Sequence, residues 1–334
     1  LRYTYHELRD NQPVLPKEEK MKPFRKNVAL AIDGGGIRGV IVTRALSMLE
    51  RSLKQPVHNV FRLAAGTSTG SIISAGIGAG LTAAQLHRLY ISLGDTIFTK
   101  SWRTFFWPLT RFRYPHEPLA TALHEYIGDQ KMGDFWTAIP ATDVVITTFD
   151  LLTNKTCFVK PWKPDYEEWP VIMAILASSS VPTYFPVVAG RYVDGGVGSY
   201  ANPCYLAAYE AQFCLNWDPK ETTLISLGTG RDPQTLKPGQ PGRFMAWDWL
   251  SPTLGAFLAS ADDQQVRLVD TFFQELDFRR FQVDLSEPIP MDDPRQIPKL
   301  IEYGDKMGNM ILNDQIDGAV SEKPAPMQSN AVSS

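Results

Sequence analysis

Ser68 stands in the middle of Gly66-Thr67-Ser68-Thr69-Gly70, where a short apolar stretch (60–66) gives way to small residues of helical character (68–80). A G-x-S-x-G pentapeptide between strand and helix holds its serine on a sharp turn with the hydroxyl projecting. The positive end of the following helix favours negative charge there. That is the setting of a nucleophile, and a hydroxyl nucleophile needs a base. The five histidines are His6, His58, His87, His116 and His124, so none follows residue 124. A triad in the order serine, acid, histidine needs a late histidine, which turns attention to carboxylates. Asp194 in "RYVDGGVGSY" ends an apolar strand and precedes Gly195 and Gly196. Open α/β sheets place their sites at that edge. Desolvation would raise the basicity of such a carboxylate. An aspartate before Gly-Gly is also an ordinary turn former, and spacing alone leaves both roles open.

"IDGGGIRG" (32–39) follows the first strand and opens a helix. Gly34, Gly36 and Gly39 match G-x-G-x-x-G, so a nucleotide-binding module is the alternative function to weigh. That fingerprint expects an acid about 20 positions on, at the end of the second strand. The second strand here ends in Ala64-Ala65-Gly66 instead. Backbone N–H groups at a helix N-terminus also make an oxyanion hole. Gly34, Gly35 and Gly36 suit that role, with Arg38 adding charge or locking the loop.

Elements must bring these three pieces together. Strands are expected at 27–33, 60–66, 143–159 (a hairpin), up to 194, 222–230 and 279–285. Helices are expected at 39–55, 68–80, 82–98 (capped by Thr82), 117–128, 168–178, 202–215, 255–276 and 297–320. Strands alternating with helices predict a three-layer α/β/α fold around a mostly parallel central sheet. Residues 1–26 read as an N-terminal arm, 27–320 as one catalytic domain, 231–254 as a long surface loop and 321–334 as a disordered tail.

"DGGGIRG", "GTSTG" and "DGG" occur in the order and contexts of the patatin-like phospholipases, and "ASSSVPTYFPVV" (177–188) looks like a further family block. The chain resembles that family over roughly 27–230, with similar character toward 315. These proteins are similar to the catalytic domain of cytosolic phospholipase A2 in using a Ser–Asp dyad. The resemblance implies a lipid acyl hydrolase of phospholipase A type. Ser68 would form the acyl-enzyme, Asp194 would be the base, and Gly34 to Gly36 with Arg38 would form the oxyanion loop. Gly66, Gly70, Gly195 and Gly196 would support the motifs. Ser180 stands where the family often has alanine. The resemblance implies no metal and no cofactor, and a phospholipid or other glycerolipid as substrate. Some bacterial members are effectors switched by a cyclic nucleotide, and no residue here points to such a pocket.

Composition fits this reading. The chain of 334 residues is 44% hydrophobic and 21% charged, with a net charge of −3, which speaks against general nucleic-acid binding. Cys157, Cys204 and Cys214 lack metal-ligand spacing and are expected as small apolar residues in or near the core. The start lacks a signal peptide's apolar segment, and no apolar run approaches the ~20 residues of a membrane span. A cytoplasmic protein, peripheral at membranes, is expected. Phe98, Trp102, Phe105, Phe106, Trp107, Phe112 and Tyr114 cluster with Lys100, Arg103, Arg111 and Arg113, and no acid lies among them. Such a segment suits an anionic lipid interface. Residues 98–114 are therefore either a lid or membrane-contact loop, or aromatic core packing with arginines reaching outward. The stretch 242–250, also aromatic, has the same two readings.

Overall fold

The computed structural model describes residues 21–99, 102–106, 109–137, 142–233, 236, 239–245 and 262–317. The expected arm up to residue 20, the tail 321–334, Trp107 and most of the 231–254 loop, including 246–250, lie outside the described residues.

Seven strands form one sheet: β1 (Asn27–Ile32), β2 (Leu63–Thr67), β3 (Asp143–Asp150), β4 (Lys155–Val159), β5 (Tyr192–Asp194), β6 (Thr222–Leu227) and β7 (Asp277–Phe281). The order is β4-β3-β2-β1-β6-β7, with β5 also paired to β3. All neighbours are parallel except β3–β4 and β3–β5. The helices are α1 (Gly39–Leu53), α2 (Val57–Val60), α3 (Thr69–Gly78), α4 (Ala83–Ile97), α5 (Trp102–Phe105), α6 (Glu117–Ile127), α7 (Asp134–Thr137), α8 (Val171–Ser179), α9 (Cys204–Tyr209), α10 (262–272 of it described) and α11 (Ile297–Leu312).

Alternation along β1 separates the layers. Val28, Leu30 and Ile32 join the larger core under α1, α3, α4 and α11, while Ala29 and Ala31 face α9 and α10. Small residues on the second face let α9 approach through Ala207 and Ala208. This is the expected three-layer α/β/α architecture. Thr82 caps α4 as expected, in a reciprocal capping box with Gln85, which satisfies two otherwise orphan donors.

Several expectations shift. The expected helix over 202–215 is α-helical only to Tyr209 and continues as a π-helical turn, Glu210–Cys214, over the buried Glu210. α11 stops at Leu312 rather than 320. Of the expected arm, residues 21–26 are docked: Met21 N–H donates to the Leu312 carbonyl at 2.9 Å, and Arg25 Nη1 to the Pro219 and Glu275 carbonyls at 2.8 and 2.7 Å. Cys204 is buried and Cys157 is half-buried against the core, as expected, but Cys214 is exposed. Among the described residues no helix is long and apolar enough to cross a membrane.

Candidate active site

Two glycines allow the turn that carries Ser68. A Cβ on Gly66 would stand 2.1 Å from the Gly70 carbonyl oxygen, and one on Gly70 would stand 2.1 Å from that of Ile32. The first turn of α3 thus crosses directly over the ends of β2 and β1. Ser68, between them, has φ 54° and ψ −121° and is 5% exposed. A non-glycine residue there is strained. The turn is held from outside: Ser68 N–H donates to Ser178 Oγ at 2.9 Å, and Thr67 Oγ1 meets Thr147 Oγ1 at 2.6 Å.

Strand register brings Asp194 to this turn. Thr67, the last residue of β2, pairs with Thr147 of β3. The next residue of β3, Thr148, pairs with Asp194. β4 pairs with the same stretch of β3, and a strand has only two edges. β5 therefore continues the edge that β2 leaves, and Asp194 stops beside Ser68. Asp194 reaches the C-terminal edge on an antiparallel strand folding back along β3, not on a parallel one. A Cβ on Gly195 would lie 2.1 Å from Thr147 Oγ1, so that glycine permits the approach.

Asp194 is buried, and one oxygen, Oδ1, accepts the Gly196 N–H at 2.7 Å. The buried Oδ2 has no hydrogen bond of full geometry. The Ser68 hydroxyl is nevertheless close enough to favour the charged carboxylate. Burial dominates and pushes the Asp194 carboxyl up to about 6, against the opposing pull of Ser68 and the Gly196 amide.

The glycine loop lies against the same turn: a Cβ on Gly34 would be 3.2 Å from Ser68 Cβ. Its donors are not equivalent. Gly34 N–H is spent on the Ala201 carbonyl at 2.9 Å. Arg38 N–H is spent on the Gly35 carbonyl at 3.2 Å. The Arg38 guanidinium binds Asp232 at 2.8 and 3.0 Å and the Ile289 carbonyl at 2.9 Å. The Gly34 N–H is therefore not a free oxyanion donor, a correction to that expectation, while Arg38 takes the loop-locking alternative. Arg38 ties the loop to the segments after β6 and β7. Gly35 and Gly36 N–H have no protein acceptor among the described residues. Gly36 has φ +58°, in the left-handed region that favours glycine.

Ser68 and Gly36 open on an apolar pocket of about 560 Å³ including its mouth, lined also by Ile72, Leu93, Ile97, Phe98, Val181 and Phe185. His116 is near this pocket but bonds Ser180 Oγ at 3.0 Å and stacks on Phe185, so it does not serve Ser68. Among the described residues no group of three or more His, Cys, Asp or Glu is arranged to hold a metal ion.

The aromatic segment is packed at its ends and exposed between them. Phe98 and Tyr114 pack together at 5.3 Å, and Tyr114 is buried. Phe105, Phe106 and Leu109 between them are 82%, 51% and 87% exposed. The side chain of Trp102 lies outside the described residues.

Three features of the surroundings escaped the sequence reading. Asp33, just before the glycine loop, pairs with the buried Arg280 of β7 (Nη1 to Oδ1, 2.9 Å), which also holds Asp262 at 3.1 Å. Burial pushes the Asp33 carboxyl up to about 7 against the pull of Arg280. Asp262 in turn accepts from Asn202 at 2.7 Å. Two charged residues in "RRF", at the start of the strand expected over 279–285, were the available signal.

The patatin-like phospholipase family model matches residues 30–208. The chain is 28% identical over 253 residues to an intracellular phospholipase A2 of Caenorhabditis elegans, covering 70% of this chain and 22% of that protein. It is 27% identical over 291 residues to patatin-1-Kuras 2 of Solanum tuberosum, covering 74% of this chain and 75% of that one. Among solved structures, VipD from Legionella pneumophila superposes with a TM-score of 0.47 at 10% identity, over 88% of this chain and 68% of that one. The chain thus spans about a fifth of the worm protein and three quarters of the potato one. With the family model matched over more than half its length, this chain belongs to the patatin-like phospholipases.

Proposed function

We propose that this protein cleaves fatty-acyl ester bonds of glycerolipids, as a phospholipase A-type serine hydrolase with Ser68 as nucleophile and Asp194 as general base. One observation carries the reading: a strained serine beside a buried carboxylate, at the wall of an apolar pocket. The acyl chain occupies the pocket, which brings the ester carbonyl to Ser68. Asp194 Oδ2 takes the hydroxyl proton as Oγ attacks. Catalytic hydrogen bonds are often loose before substrate binds and tighten afterwards, in keeping with the unsatisfied Oδ2. Gly35 and Gly36 N–H receive the oxyanion. The proton on Asp194 passes to the departing alcohol, and water then attacks the acyl-enzyme with the same base. No step calls for calcium.

Free fatty acid released from phospholipid vesicles, identified by mass spectrometry, tests this. Wild-type protein is expected to release it equally with and without EDTA, and Ser68→Ala to lose at least about 10³-fold, the scale of a missing nucleophile. Equal release by Ser68→Ala would end the reading.

The lipid surface is met through the tip of the 98–114 segment. Phe105, Phe106 and Leu109 are exposed there, and Lys100, Arg103 and Arg111 of the same segment suit anionic headgroups, whereas Arg113 is held by Asp292 at 3.3 Å. Changing these three apolar residues to serine is expected to cut turnover on anionic vesicles about tenfold or more, from the burial lost at the interface. Turnover of a short-chain soluble ester should stay within twofold. A parallel loss on both substrates would refute the surface role.

A further inference from the structure

The turn Gly228-Thr229-Gly230 follows β6, the neighbour of β1 on the side away from Ser68. It is pinned from behind: Gly228 N–H donates to the Phe281 carbonyl at 2.9 Å, and Gly230 N–H to Gln282 Oε1 at 2.8 Å. Thr229 is 5% exposed and donates its hydroxyl to the Gly34 carbonyl at 2.6 Å. A Cβ on Gly35 would lie 2.3 Å from that same hydroxyl oxygen. Thr229 therefore touches the glycine loop at one peptide unit, the one joining Gly34 to Gly35.

A trans peptide is planar, with its C=O and N–H pointing in opposite directions. A grip on the Gly34 carbonyl sets where the Gly35 N–H points. That N–H is one of the two loop amides with no protein acceptor among the described residues. The preceding peptide unit, Asp33–Gly34, is anchored through the Gly34 N–H to the Ala201 carbonyl at 2.9 Å, so the Gly34–Gly35 unit starts from a fixed Gly34 and is held by its own carbonyl.

We propose that Thr229 is a positioning residue for ester cleavage: its hydroxyl holds the Gly34 carbonyl and so aims the Gly35 N–H at the oxyanion formed when Ser68 attacks. This rests on the reading of Ser68 as nucleophile. Preorganised donors of this kind act only where charge develops, so a misaimed one lowers the rate and leaves ground-state binding alone. Valine in place of Thr229 keeps the shape and loses the hydroxyl; serine keeps the hydroxyl.

The test is inactivation by a long-chain alkyl fluorophosphonate of wild type, Thr229→Val and Thr229→Ser, with the adduct located by peptide mass mapping. In that reaction Ser68 Oγ bonds phosphorus, fluoride leaves, the serine proton goes to Asp194, and negative charge builds on the phosphoryl oxygen. The first-order constant kinact is expected to fall about 10- to 100-fold in Thr229→Val, below the 10²–10³ of losing a donor outright. KI should stay within twofold, and Thr229→Ser should keep kinact within threefold of wild type. An unchanged kinact in Thr229→Val, a loss confined to KI, or an equal loss in Thr229→Ser would overturn the proposal. If Thr229→Val does not fold by circular dichroism, Thr229→Ala is held to the same criteria; unfolding of both would make Thr229 a folding residue and overturn it as well. Absence of a Ser68 adduct in wild type would instead overturn the nucleophile assignment itself.

Discussion

Asp194→Asn is expected to slow ester cleavage by roughly 10²–10⁴-fold, the contribution of a positioned general base, and to make the fold more stable at neutral pH. The two effects share one cause. Burial raises the Asp194 carboxyl from its ordinary value of 3.8 to about 6, so the folded state holds a proton that the unfolded chain releases. Stability is then lost as pH rises from about 4 to about 6, and the whole cost is present above that. Two pKa units correspond to about 3 kcal/mol. Asparagine is neutral and can keep the Gly196 contact, so it removes the cost of the buried charge. Thermal melts should show the variant more stable than wild type at pH 8 and level with it at pH 4. Turnover should be low at both. The variant has an Asn-Gly step, which deamidates back to aspartate, so its mass must be checked at the time of assay. Melts that differ equally at both pH values, with turnover retained, would contradict the account.

Arg280→Met should be the most destabilising single change around the site. Arg280 is 2% exposed and stands between Asp33 and Asp262. Removing it strands two carboxylates, and breaking a buried pair from one side costs about 3–5 kcal/mol. At about 2–4 °C per kcal/mol for a large domain, the melting temperature should fall by about 6–20 °C. Lysine should not restore it, because one ammonium cannot reproduce the forked contacts to Asp33, Asp262 and Ser226. Adding Asp33→Asn to Arg280→Met should recover part of the loss, since one stranded charge is then gone. Activity should fall with stability, because Asp33 leads directly into Gly34. Melts within 2 °C of wild type would show that the network does not hold the loop.

The turn that carries Ser68 was legible because its shape needs Gly66 and Gly70, whose missing Cβ atoms admit backbone at 2.1 Å. Asp194 was legible only as a strand-end carboxylate. Its placement beside Ser68 depends on β2 and β5 sharing one edge of β3, a register that no local pattern encodes. The glycine loop was found as a loop, but not which amides stay free. That depends on distant acceptors, the Ala201 carbonyl for Gly34 and the Met291 carbonyl for Ile37. Helix and strand positions followed from hydrophobic periodicity. Their ends moved where a tertiary contact intervened, as at the buried Glu210, which pairs with Lys160. The aromatic segment could not be divided from composition, because the packed Tyr114 and the exposed Phe105 belong to the same chemical class.

The pH dependence of Ser68 modification by a fluorophosphonate, followed by mass spectrometry in wild type and Asp194→Asn, tests the Ser–Asp pairing most directly. The rate in wild type should rise with pH through a midpoint near 6 as the Asp194 carboxyl loses its proton, and Asp194→Asn should be slow at every pH. A label on another residue, or an equally fast reaction of Ser68 in Asp194→Asn, would contradict it.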